Sequence, residues 1–162
     1  MKPKHLDSKY AEMFKHRSVS EAYVYRPPYP IQTFEILNTL IGKKPGRVLD
    51  VGCGTGNIAR HLVDFMHHID AIDFSESMIA VGKSLPNGNH PNIHWIRSSM
   101  EEALLIGQYD LITAGASLHW MDWNIVLPKF KGLLSPDGYL AIIDDGNLPT
   151  PWEEGLHKII NV

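Results

Sequence analysis

Along the first thirty residues polar positions dominate and no period is sustained, and the stretch ends in Arg26-Pro27-Pro28-Tyr29-Pro30. Three prolines in four positions exclude a helix interior, so this segment is expected to be an extended connector. Ile31, Phe34, Leu37, Leu40 and Ile41 then recur at helical spacing, with Gly42 as the stop. From Arg47 onward short apolar runs alternate with amphipathic stretches. The runs 47–51, 69–73, 93–96, 109–114 and 139–143 predict strands. Between them 56–66, 77–84, 101–105 and 125–134 predict helices.

Strands that alternate with helices imply βαβ units and a parallel sheet. Nearly continuous apolar strands such as Leu140-Ala141-Ile142-Ile143 are those of a sheet covered on both faces. The expected fold class is therefore α/β, a Rossmann-like, doubly wound parallel sheet with helices on both faces. Residues 1–30 are expected to be an N-terminal cap or connector, and 31–162 the ligand-binding domain. In such sheets ligands sit beyond the carboxyl ends of the strands.

Composition narrows the classes of function. With 162 residues the chain suits one domain, and its 44% hydrophobic and 20% charged content is ordinary for a globular protein. A net charge of −3 and no Lys/Arg run longer than Lys43-Lys44 argue against binding by phosphate neutralisation, so no nucleic-acid partner is expected. No apolar run approaches the ~20 residues that span a bilayer, so no membrane partner is expected. The single cysteine, Cys53, suits a reducing compartment, and a cytoplasmic location is expected.

Candidate chemistry centres on Val48-Leu49-Asp50-Val51-Gly52-Cys53-Gly54-Thr55-Gly56. A buried strand ends there in three alternating glycines and runs into a predicted helix. Glycine serves where backbone takes positive φ or approaches a ligand closely, and helix-start N–H groups offer donors. Dinucleotide sites use G-x-G-x-x-G to make room for a pyrophosphate. Here the spacing is G-x-G-x-G with Asp50 two residues earlier, which disfavours a pyrophosphate and favours a ligand carrying ammonium and sulfonium charge. A nicotinamide-dependent oxidoreductase is the disfavoured alternative. About twenty residues on, Asp73 ends the second strand, placed to accept two hydrogen bonds from a ribose diol.

This segment resembles the class I S-adenosylmethionine-dependent methyltransferases, whose first motif ends in D-hydrophobic-G-x-G-x-G, and the resemblance spans about 26–144. It implies an enzyme, with S-adenosylmethionine as cofactor. The resemblance assigns Gly52, Gly54 and Gly56 to the floor beneath methionine and ribose, and Asp50 to the amino end. It assigns Asp73 to the ribose, Phe74 and Met78 to the adenine, and Ser99 with the Met100 N–H to the adenine edge. Ser99 departs from the family, where an acid is frequent.

The small residues that begin at Ala114 after the fourth strand, in Ala114-Gly115-Ala116-Ser117, would let the methionine lie against the backbone, and Arg26, with Tyr25 in a Tyr-x-Arg-Pro-like segment, would pair its carboxylate. Leu118-His119-Trp120 resembles a small-molecule subgroup that includes trans-aconitate methyltransferase, which implies a small-molecule methyl acceptor. A non-catalytic or truncated cofactor-binding module is the second alternative. Glu101 and Glu102 are expected as helix-start acids.

Methyl transfer from a sulfonium is an in-line displacement in which positioning supplies most of the rate. His119 is the candidate general base or acceptor-orienting group. Cys53 has no His/Asp relay spaced around it and is expected to be structural. No His-Glu-x-x-His or second cysteine is present, so no metal is expected. The resemblance further implies two more strands after the fifth, and 152–160 reads as a helix. Without those strands 139–143 is an apolar edge, for which a homodimer is expected.

Overall fold

The computed structural model describes residues 12–42 and 46–144. Five strands form one sheet: β1 (Arg47–Val51), β2 (His68–Asp73), β3 (Ile93–Arg97), β4 (Tyr109–Gly115) and β5 (Leu134–Ile143). Their order is β3-β2-β1-β4-β5 and every pairing is parallel. The chain reverses its direction of winding between β3 and β4, so the carboxyl ends of β1, β2 and β4 open a crevice there.

Strand alternation divides the core in two. Val48, Ile69, Ala71 and Leu111 face one side with Phe34, Leu37 and Leu62. Leu49, Val51, Ile72 and Ile112 face the other with Val126, Phe130 and Leu133. On the first side lie α1 (Arg17–Ala22), α2 (Ile31–Ile41), α3 (Ala59–Leu62) and α4 (Glu76–Ser84), and on the second α5 (Trp123–Leu133). Burial of a side chain such as Phe130 stabilises the fold by ~1.5–3 kcal/mol.

Local chemistry sets the helix ends. Gly42 takes φ +76° and its N–H donates to the carbonyls of Asn38 and Thr39, closing α2. Ser75 caps α4 by accepting from the Met78 N–H, and Asp122 caps α5 by accepting from the Asn124 N–H at 2.9 Å.

Three expectations require correction. Among the described residues before the prolines, 12–25 are largely helical, with 3₁₀ turns at Glu12–Lys15 and Tyr23–Tyr25 flanking α1, and 26–30 are extended. The helix expected over 56–66 is reduced to α3 followed by a 3₁₀ turn at Val63–Phe65. Side chains there take backbone partners that a longer helix would use: Arg60 Nε donates to Thr55 O, and His61 Nδ1 sits 2.7 Å from Asn57 O.

The helix expected over 101–105 is a loop. Lys129 Nζ donates to the carbonyls of Met100 and Glu101, both at 2.9 Å, and so occupies the acceptors a helix needs for its next turn. Leu104 and Ile106 are almost fully exposed beyond it, leaving no apolar stripe to hold a helix. Glu101 is accordingly no helix-start acid; its Oε1 accepts from the Asp122 N–H at 2.8 Å, and Glu102 donates its N–H to Ser99 Oγ. The helix read over 152–160 lies outside the described residues.

Candidate ligand site

The first strand delivers its chain into a turn in which Gly52, Gly54 and Gly56 all take positive φ, at +62°, +56° and +75°. Each alternate glycine has a different neighbour. A Cβ on Gly52 would stand 2.6 Å from Ser117 Cβ, so β1 and the loop after β4 close on one another only through glycine. Ser117 Oγ fixes that contact by donating to Val51 O. A Cβ on Gly54 meets only Tyr23 Cε1, at 3.8 Å. Gly56 does not reach a cavity; a Cβ there would stand 2.5 Å from the Trp95 ring, so its place in the motif is a matter of packing.

Above this turn lies a cavity of about 270 Å³, close to the lower end for small-ligand sites. Of the expected residues it is lined by Gly52, Gly54, Asp73, Phe74, Met78, Ser99 and Met100. Asp73 is buried, and its carboxylate is spread over two backbone donors: the Gly54 N–H to Oδ2 and the Ser75 N–H to Oδ1, both at 2.8 Å. Burial pushes its pKa up, and the two N–H donors pull back against that rise. Each oxygen retains acceptor capacity toward the cavity.

A second, smaller cavity of about 30 Å³ adjoins the first and shares Tyr23, Gly52, Gly54 and Gly115 with it. Asp50 and Arg26 both line it, which brings together an acid and a base 24 positions apart in the chain. Asp50 is almost wholly buried. Its Oδ1 accepts from Thr113 Oγ1 at 2.8 Å and its Oδ2 from the Ala59 N–H at 3.2 Å. Burial outweighs those bonds and raises its pKa to about 6. The thiol of Cys53 is buried beside them, and its pKa rises through burial and through the charges of Asp73 and Asp50. No activating group is among those causes, consistent with a structural role.

Besides Gly56, three expected residues stand elsewhere. Ala114 is buried in the core on the α5 side, and Gly115, Ala116 and Ser117 form the wall instead. The strand simply runs one residue further than its apolar pattern indicates. Tyr25 is 86% exposed, and Tyr23 takes the wall position. His119 is not part of either cavity wall; its ring rests against Trp120 at 4.8 Å while Trp120 and Met121 line the larger cavity.

Reasoning from sequence missed the roof. Phe14 from the first 3₁₀ turn sits edge-on to Tyr23 at 6.1 Å and to Trp120 at 5.8 Å, and all three line the larger cavity. Ser75 Oγ donates to Phe14 O at 2.6 Å, anchoring this segment to the start of α4. The available signal is weak, since Phe14 and Tyr23 are two of five aromatic residues in the first thirty, with Tyr10, Tyr25 and Tyr29.

Comparison with known proteins agrees with this fold. The family model described as methyltransferase domain matches residues 48–138. The chain is 38% identical over 97 residues to malonyl-[acyl-carrier protein] O-methyltransferase of Bacillus anthracis, covering 58% of this chain and 35% of that protein. It is 32% identical over 116 residues to trans-aconitate 2-methyltransferase of Escherichia coli, covering 70% of this chain and 43% of that protein. Thus the chain spans less than half the length of either relative. Among solved structures, the DhpI-SAM-HEP complex superposes with a TM-score of 0.69 at 17% identity, over 96% of this chain and 73% of that one. The glycopeptide N-methyltransferase MtfA does so with 0.59 at 17%, over 68% and 51%, and at these identities the likeness is one of fold. Because the matched span runs from β1 into β5 and takes in more than half of the residues, this chain belongs to the methyltransferase-domain family.

Proposed function

We propose that the chain binds S-adenosylmethionine across the carboxyl ends of β1, β2 and β4 and directs its methyl group to a small-molecule acceptor. The observation that carries this is the joined pair of cavities, with Asp73 on the floor of one and Asp50 and Arg26 together in the other. An adenosyl ligand with a charged amino-acid end has this division of chemistry: a diol for Asp73, an ammonium for Asp50 and a carboxylate for Arg26. Gly54 suits such a ligand because its missing side chain leaves the backbone open to close approach.

When bound, the cofactor supplies an electrophilic methyl group on a sulfonium. The protein holds the ribose with Asp73, places Phe74 and Met78 against the adenine, and turns the loop at Ser99 and Met100 to the adenine edge. The residues before 31 act as a cap in which Phe14 and Tyr23 exclude water, and those from 31 onward form the binding domain. His119 acts through Trp120 to orient the acceptor and is a positioning residue here. Along the outer edge of β5, where Ile142 and Tyr139 are exposed, a second copy of the chain would pair, so elution as a monomer in size-exclusion chromatography refutes that part.

Calorimetric titration with S-adenosylmethionine, S-adenosylhomocysteine and NAD tests the cofactor. Binding of the first two and not of NAD is expected. Binding of NAD alone, or of none of the three, overturns the proposal.

A further inference from the structure

At the amino ends of the strands, away from both cavities, His68 and Asp70 of β2 and His94 of β3 converge on one face of the sheet. The register fixes this: Asp70 pairs with His94, and His68 lies two residues before Asp70 on the same face. One ligand-type atom from each lies within 4.8 Å of the other two, and the two imidazole rings stand 4.3 Å apart. His94 is exposed and the His68 side chain is one quarter exposed, so solvent reaches the cluster, while Asp70 is buried.

The hydrogen bonds of this cluster conflict with one another. His68 Nε2 stands 2.9 Å from Asp70 Oδ1, a contact that asks it to donate a proton. The same nitrogen stands 3.3 Å from Arg47 Nη2, a contact that asks it to present a lone pair. Arg47 Nη2 also contacts Asp70 Oδ2 at 3.2 Å, while its Nε is buried with no hydrogen-bond partner. Tyr109 donates to Asp70 Oδ2 at 2.6 Å, which leaves Oδ1 turned toward the histidines. A cation between the rings lets His68 Nε2 and Asp70 Oδ1 both act as electron-pair donors and removes the conflict.

We propose that His68, Asp70 and His94 form a binding site for a divalent transition metal ion of the zinc or cobalt type. Two imidazoles and a carboxylate are the donor set such ions favour, and a solvent-facing side leaves room for a water as a fourth ligand. Small rotations of the two histidines bring the donors from 4.8 Å to the closer spacing that tetrahedral coordination needs. The ion would tie β2 to β3 toward the end of the sheet remote from Asp73, three to five residues or roughly 10–16 Å along β2. Arg47 competes with the ion for Asp70, so its charge sets the affinity.

The test is cobalt titration of the full chain, followed by the visible absorption of four-coordinate Co²⁺, with zinc displacement and the change in Tm recorded in parallel. One equivalent is expected to bind and to raise Tm. His94→Ala, an exposed substitution that spares the core, is expected to weaken binding by about tenfold or more and to abolish the Tm rise. Arg47→Gln is expected to tighten binding severalfold, because a competing cation is gone. An unchanged affinity in His94→Ala assigns the metal to other histidines among the nine and overturns the site. Absence of binding to the parent chain, or weaker binding in a folded Arg47→Gln, overturns it equally.

Discussion

The backbone N–H of Gly54 donates to Asp73 Oδ2 over 2.8 Å, so the turn after β1 and the acid that ends β2 form one unit. A ligand that meets the carboxylate also meets the turn, and the orientation of one is set by the other. A lone motif of alternating glycines specifies neither.

For Asp73→Ala the expectation is loss of adenosyl-ligand binding. Two hydrogen bonds to a charged acceptor, at ~1.5–3 kcal/mol each, place the loss at roughly a hundredfold or more. Calorimetry on the variant, with circular dichroism to confirm the fold, measures it; binding within a few-fold of the parent refutes the assignment.

Gly52→Ala and Gly54→Ala should separate stability from binding. At Gly52 a Cβ meets Ser117 Cβ at 2.6 Å, so packing and positive φ both penalise the change, by ~1–3 kcal/mol for the backbone alone. At Gly54 the same backbone penalty applies at φ +56°, but only Tyr23 is near, at 3.8 Å, so the loss of stability should be smaller while the ligand is obstructed. Urea unfolding together with ligand titration distinguishes the two; equal loss of stability in both contradicts the division.

The buried carboxyl of Asp50 ought to shape the pH profile. Its pKa rises from the ordinary 3.8 to about 6, so between those values the folded chain holds the proton that the unfolded chain has released. Stability contributed by this group is fully present below 3.8 and is lost as pH rises through about 6, a decline of roughly 3 kcal/mol. Asp50→Asn should flatten the stability curve over that window and raise Tm at neutral pH. Binding of a ligand with an ammonium should strengthen in the parent as pH rises through the same window, and not in the variant.

Lys129 should control the loop that carries Ser99 and Met100. Its Nζ joins the Met100 and Glu101 carbonyls to α5, and Glu101 answers by accepting from the Asp122 N–H. Removing the ammonium in Lys129→Met breaks both charge-assisted bonds, and because they hold the loop and not the ligand, only part of their strength is expected in the Kd for S-adenosylmethionine, a rise of about tenfold. Tm should fall little, since the group is not in the core. Limited proteolysis near the exposed Leu104 and Ile106 should accelerate in parallel, and an unchanged Kd counts against the role.

Much of this was legible in the order of residues. The five strands and the glycine turn are evident because short apolar runs alternate with amphipathic stretches, although only the central β1, β2 and β4 are buried along most of their length and the edge strands β3 and β5 are not. Asp50 and Asp73 were legible because each acid stands at a fixed offset from the turn. Phe14 and Tyr23 were not, since they act from a segment without periodicity and reach the cavity through one another. Ala114 and Tyr25 were each off by a short step, because a pattern of types shows where a strand ends but not which backbone faces inward. His119 was singled out for its chemistry, whereas its neighbour Trp120 occupies the wall. The loop at 101–105 imitates a helix by composition, and what prevents one is a lysine from α5, nearly thirty residues away, together with the exposure of Leu104 and Ile106.

Ser75 holds two structures with one hydroxyl: it accepts from the Met78 N–H to cap α4 and donates to Phe14 O beneath the roof. A displacement of the Phe14 segment therefore disturbs the same oxygen that secures the helix. Loss of the Ser75 hydroxyl is therefore expected to loosen the start of α4 and the Phe14 segment together.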